Sequence, residues 1–136
     1  MRGHPCTPVL IDTSAWVQHL RSHDAEVERL IAVAAARGHV DVAGELAMGS
    51  PPGAVRIRDR VLALPRVPEV DPIELMRSVE GLGLPGRGIG WIDAGLLVAC
   101  HEARCPISIY TRDRRMAEVA ISIGVAVHAA REGGTN

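Results

Sequence analysis

Four acidic residues stand where chemistry is possible: Asp12 in "VLIDTSAW", Glu45 in "AGEL", Asp93 in "GWIDAG" and Asp113 in "YTRDRR". Asp12 follows the apolar run Val9–Ile11, and Asp113 follows Ile107–Tyr110 by a Thr-Arg step. Glu45 comes two small residues after Val40–Val42, which alternates like a strand, and Asp93 opens the helical segment behind a glycine-rich loop. Carboxylates crowded together repel and raise one another's pKa, and a bound divalent cation removes that conflict. Hard oxygen donors without cysteine or histidine suit Mg²⁺, or alternatively Mn²⁺. Such an ion polarises a phosphoryl oxygen and lowers the pKa of water bound to it. The four acids together therefore point to phosphate-ester chemistry. Each alone has a plainer reading, because acids are favoured at helix N-caps and in first turns. The coincidence of four weighs for the cluster.

For these acids to meet, the elements that carry them must share a sheet edge. Strand-like Val9–Ile11 leads into a helix over Ser14–Leu20. "HDAEVERLIAVAAARG" predicts a long helix capped by Asp24 and ended at Arg37-Gly38, with a stripe of Val27, Leu30, Ile31 and Ala34. A strand at Val40–Val42, a helix from Gly44, a break at "SPPG" and a helix in "AVRIRDRVLAL" stopped by Pro65 follow. "RVPEV" reads as a short strand or extended piece at an edge, since Pro68 cannot sit centrally. "DPIELMRSVEGLG" has Asp71 as cap, Pro72 at the first position and a stripe of Ile73, Met76 and Val79. A loop at "GLGLPGRGIG", a helix at "WIDAGLLVACHEAR", a strand at "PISIYT", a helix at "RDRRMAEVAISIG" and a last strand at "VAVHA" complete the order. Alternating strands and helices imply an α/β fold with a short, mostly parallel central sheet between helical layers. In such sheets ligands gather beyond the carboxyl ends of the strands, where these acids fall.

The totals set bounds. At 136 residues and 47% hydrophobic, the chain makes a single globular domain: 9–130, with a leader at 1–8 and a tail at 131–136. With no Phe, one Tyr and two Trp the core must be aliphatic. All fifteen basic residues are Arg, and the net charge of -1 excludes a global nucleic-acid-binding field, so any such site is a local arginine cluster. Cys6, Cys100 and Cys105 lack metal-ligand spacing and cannot all pair, which fits a reducing cytoplasm. There is no signal-peptide h-region and no run long enough to span a membrane.

"VLIDTSAW", "AGEL", "GIGWIDAGLLVAC" and "IYTRDRRM", in that order and spacing, resemble the PIN-domain ribonucleases, and most closely the VapC-type toxins of type II toxin–antitoxin pairs. The resemblance runs from about Val9 to Val127. It implies a three-layer PIN-like fold and a Mg²⁺-dependent endoribonuclease with Asp12, Glu45, Asp93 and Asp113 as its acidic site. Asp12 and Asp93 would be the metal ligands, with Thr13 and Thr111 as hydroxyls behind them. It also implies an RNA substrate such as a tRNA or rRNA loop, a VapB-like antitoxin and a homodimer. Two departures stand out: Met116 where the family often has Phe or Leu, and a leader longer than usual.

Other readings remain beside this one. An Asp-dependent phosphatase with Asp12 as nucleophile is disfavoured, because Ser14 replaces a second acid and there is no Lys to neutralise an acyl phosphate. A non-catalytic module gripping a cation or a partner's Arg fits the composition equally. "GLGLPG" matches a dinucleotide fingerprint by letter, but it follows a helix rather than a strand. Arg87 in that loop, and Arg112, Arg114 and Arg115 around Asp113, are candidates to hold an RNA backbone. Arg56 and Arg60 read as a solvated, paired face. His19 and His23 read as surface residues at a helix end, and Cys100 and Cys105 as core packing. Trp16, Leu20, Leu30, Ile31 and Ala34 form either core or a groove between the first two helices.

Overall fold

The computed structural model describes residues 7–49 and 52–130. Most of the expected leader, the tail, Cys6 and the first half of the "SPPG" break lie outside the described residues. Strand β1 (Val9–Ile11) lies between β2 (Ala36–Arg37) and β3 (Ser108–Tyr110), and both neighbours run parallel to it. Val9 faces Ala36 and Ser108, Leu10 faces Arg37 and Ile109, and Ile11 faces Tyr110. All three β1 residues are buried, as a central strand covered on both faces requires.

Among the described residues, seven helices surround this sheet: α1 (Thr13–Arg21), α2 (Ala25–Ala32), α3 (Val40–Ala47), α4 (Ala54–Ala63), α5 (Pro72–Gly81), α6 (Trp91–Glu102) and α7 (Arg114–Ser122). The α/β, parallel, helix-flanked expectation holds. Helix α6 is buried without interruption from Ala94 to Cys100, so it passes through the interior rather than lying on it. Its Gly95 explains itself there: a Cβ would stand 3.3 Å from Leu75 Cδ2, and α5 packs against that spot. Wholly buried Leu10, Ile11, Trp16, Leu96, Leu97 and Ile109 anchor the core. Each contributes about 1.5–3 kcal/mol by leaving water. Trp16 belongs to this core and not to an open groove, while Ala34 is exposed.

Three expectations are corrected. First, α2 stops at Ala32. The amide of Ala35 bonds to Leu30 O and that of Ala34 to Ile31 O, which is the Schellman closure of a helix. The residue in the left-handed position is Ala34, at φ 62°, where glycine is usual. Helices α5 and α7 close in the same way with Gly83 and Gly124. The alanines after Ala34 then pair with the central strand, Val9 N–H donating to Ala35 O. Sheet pairing overrides their helix propensity. Second, Val40–Val42 is the start of helix α3 and not a strand; buried His39 caps it, its Nδ1 accepting the Asp41 amide. Third, "RVPEV" and "VAVHA" contribute only single bridges, Gly38 to Arg66 and Ile109 to Val127.

Smaller corrections concern faces. On α5 the buried residue is Leu75, whereas Ile73 and Met76 are exposed. Cys100 is buried and Cys105 exposed. His19 is buried, and His23 lies beyond the end of α1.

Candidate active site

Asp12 does two jobs with one carboxylate. It is the N-cap of α1 at the end of β1, and its Oδ1 accepts from Ser14 N at 2.6 Å and Ala15 N at 3.2 Å. The Ser14 hydroxyl donates to the same oxygen at 2.6 Å. Only 3% of the residue is exposed. The positive end of α1 and three donors hold this carboxylate in place. All three contacts fall on Oδ1, so Oδ2 is left for a ligand.

The hydroxyls beyond Asp12 form a directed chain. Thr111 Oγ1 accepts the Asp113 amide at 3.0 Å and lies 3.2 Å from Ser14 Oγ. Ser14 Oγ also accepts the Arg112 amide at 2.9 Å. A hydroxyl has one proton to give. Ser14 gives its proton to Asp12, so the Thr111 hydroxyl must donate to Ser14. The chain thus runs from the Asp113 amide through Thr111 and Ser14 to Asp12, and it ties the two acid-bearing loops together. Ser14 is the residue sequence reading missed. The signal was present: a small hydroxyl residue two positions after a strand-end Asp.

The remaining acids approach from three helices. Glu45, on α3, accepts the Thr13 hydroxyl at 2.5 Å through Oε1. Asp113 caps α7, accepting the Met116 amide at 3.2 Å. Asp93 sits in the first turn of α6 behind Gly90. Burial pushes its carboxyl up to about 6, and the charges of Asp12, Glu45 and Asp113 push the same way. That one residue feels the other three places all four acids at one electrostatic site. Among the described residues, none of the four is in an ion pair; the arginines and histidines that do pair choose other acids. No three of the four bring oxygens within 4.8 Å of one another. The arrangement is therefore open enough for a hydrated hard cation that takes few direct carboxylates. A free oxygen on Asp12 and an uncompensated Asp93 fit such an ion.

The arginines divide. Arg112 Nη2 pairs with Asp24 at 3.2 Å and its guanidinium lies over the Tyr110 ring, so it is already committed. Arg87 reaches the Ser122 hydroxyl at 3.3 Å. Arg115 lies across Gly88, where a Cβ would collide with its Nη1. Gly88, at φ 84°, thus makes room for this guanidinium in the loop before α6. Arg114 is exposed. Arg60 pairs with Glu28, as a solvated, paired face requires. A cavity of about 740 Å³ is lined by none of Asp12, Glu45, Asp93 and Asp113. It lies at the other end of α6, between Val67–Asp71 and Ala99–Cys105.

A three-stranded parallel sheet ending in four acids without cations defines an α/β protein of the PIN-like class. No protein-family model matches the chain. It is 36% identical over 122 residues to Ribonuclease VapC32 of Mycobacterium tuberculosis, in the H37Rv and CDC 1551 strains, covering 88% of this chain and 95% of that protein. The crystal structure of PAE2754 from Pyrobaculum aerophilum matches with a TM-score of 0.55 over 89% of this chain and 88% of that one. At 17% identity this is a likeness of fold alone. The chain belongs to the VapC ribonuclease family. Among the described residues no helix is long and apolar enough to cross a membrane.

Proposed function

We propose that the protein is a metal-dependent endoribonuclease and the toxin of a VapBC-like pair. The observation that carries this is the four-acid site without a compensating cation, centred on Asp93. Asp12 and Asp93 hold a divalent ion, Mg²⁺ or Mn²⁺. When bound, that ion supplies positive charge against a phosphoryl oxygen and lowers the pKa of water. Glu45 has Oε1 engaged by Thr13, so Oε2 remains to orient the attacking water and accept its proton. Asp113 completes the negative site, and the Thr111–Ser14 chain keeps Asp12 aligned. Arg87, Arg112, Arg114 and Arg115 are the candidates to hold the phosphate backbone, and Arg112 would have to leave its pair with Asp24 to do so.

The relatives named Ribonuclease VapC32 support RNA as substrate and a VapB-like antitoxin as partner. A loop of tRNA or rRNA as the target and a cytoplasmic homodimer as the working form belong to the same proposal. The test is cleavage of total RNA by purified protein with Mg²⁺ or Mn²⁺ and with EDTA, beside Asp93→Asn. Discrete products that need both metal and Asp93 are expected. A folded, partner-free protein that cuts no RNA would instead support a binding module.

A further inference from the structure

A second group of metal-binding side chains lies away from the acids. His19 in the last turn of α1, His23 in the connection to α2, and Glu28 on α2 each offer one ligand atom, and these atoms lie within 4.8 Å of one another. His19 Nε2 and Glu28 Oε2 are already 3.0 Å apart. In a tetrahedral site with bonds of about 2.0–2.1 Å, ligand atoms stand roughly 3.3 Å apart. His23 has to move in, and it is exposed while His19 is buried. The two imidazole rings lie with centroids 5.1 Å apart, tilted by 49°. From these contacts we infer a second cation site, held by His19, His23 and Glu28. Two nitrogens and one oxygen select a borderline ion of the Zn²⁺ kind and not Mg²⁺.

The contacts around the group show how it takes the ion. Glu28 binds Arg60 through both oxygens, Oε1 to Nη2 at 3.0 Å and Oε2 to Nη1 at 3.1 Å. If the ion takes Oε2, Oε1 keeps its arginine, which then orients the ligating carboxylate from behind. His19 Nδ1 accepts the Asp24 amide at 2.9 Å, so the ring's one proton is on Nε2, aimed at Glu28. Coordination at Nε2 moves that proton to Nδ1 and opens the bond to the Asp24 amide. Asp24 caps α2 and holds Arg112, the residue next to Asp113. The exchange is therefore visible at Asp24 and leaves the four acids untouched as ligands. This site does not depend on the ribonuclease reading.

The test uses untagged full-length protein in millimolar Mg²⁺, titrated with Zn²⁺ by calorimetry and with Co²⁺ by visible absorption, with the Asp24 amide followed by NMR. One equivalent is expected to bind and to shift the Asp24 amide. His23→Ala, which alters an exposed side chain, and Glu28→Gln should each weaken binding roughly 10–100-fold. Asp93→Asn should bind as tightly as the parent. Unchanged Zn²⁺ binding in His23→Ala, loss of it in Asp93→Asn, or no saturable binding at all would overturn the proposal.

Discussion

Helix α2 and the carboxyl edge of the sheet both gather carboxylates, and the two regions treat them in opposite ways. On α2 every acid has a partner. Burial works against Asp24, but the Tyr110 hydroxyl, the Glu26 amide and Arg112 outweigh it and hold its carboxyl below the usual range. Arg29, helped by His128, brings Glu26 down to about 2, and Arg60 lowers Glu28. At the sheet edge the acids have hydroxyls and amides for neighbours but no cations, and Asp93 rises to about 6. The same residue type stabilises the fold in one place and opposes it in the other. Acids left unpaired while arginines elsewhere pair with other acids mark the region kept for a ligand.

The largest effect expected from this contrast is on catalysis. Asp93→Asn should lower RNA cleavage about 10³-fold or more, as loss of a charge-stabilising group does, while leaving the melting temperature unchanged or higher. Glu26→Gln should do the reverse. It weakens a buried carboxylate held by Arg29 and His128, and should cost about 1–3 kcal/mol in denaturant unfolding without changing cleavage per folded molecule. If both substitutions reduced activity and stability together, the division between the two regions would collapse.

Dependence on pH separates the regions next. A carboxyl raised from 3.8 to about 6 binds its proton more tightly folded than unfolded, so metal-free protein should lose stability as pH rises through that window. The loss should be on the order of 1–2 kcal/mol after solvent screening, absent in Asp93→Asn, and reversed by Mg²⁺. Glu26 runs the other way: its contribution is present above its unfolded value near 4.5 and is lost as pH falls toward about 2. Thermal melts of the parent protein from pH 3 to 7 would show the two slopes, and each variant should lack its own.

How much of this was legible beforehand follows from what each signal encodes. Asp12 and Asp113 were readable because each comes at or just past the end of an apolar strand, and Asp93 because it opens a helix behind a glycine-rich loop. Glu45 was reached from a wrong premise: Val40–Val42 alternates like a strand, but His39 caps a helix there, and no propensity for a histidine N-cap announces it. The end of α2 was hidden because Ala34 occupies a position that glycine normally marks. The α5 stripe failed since its spacing fits two faces, and only packing on Gly95 selects Leu75. Ser14 was passed over as a mere helix starter, and its second partner, Thr111, is 97 residues away. The smallest predicted effect tests one of these points. Ala34→Gly should stabilise the protein by about 0.5–1 kcal/mol by relieving a left-handed alanine, read as a rise in denaturant midpoint.

The central strand has a bearing on how the site can be lost. β1 is paired on both sides, and the amide of Asp12 itself donates to Tyr110 O at 3.0 Å. Peptide groups bonded on both flanks of a buried strand exchange their hydrogens with solvent only when the whole structure opens. The carboxylate at the head of the site is thus attached to the slowest-breathing segment of the molecule. Heat or denaturant should leave no folded intermediate in which Asp12 has drifted, and inactivation should track global unfolding.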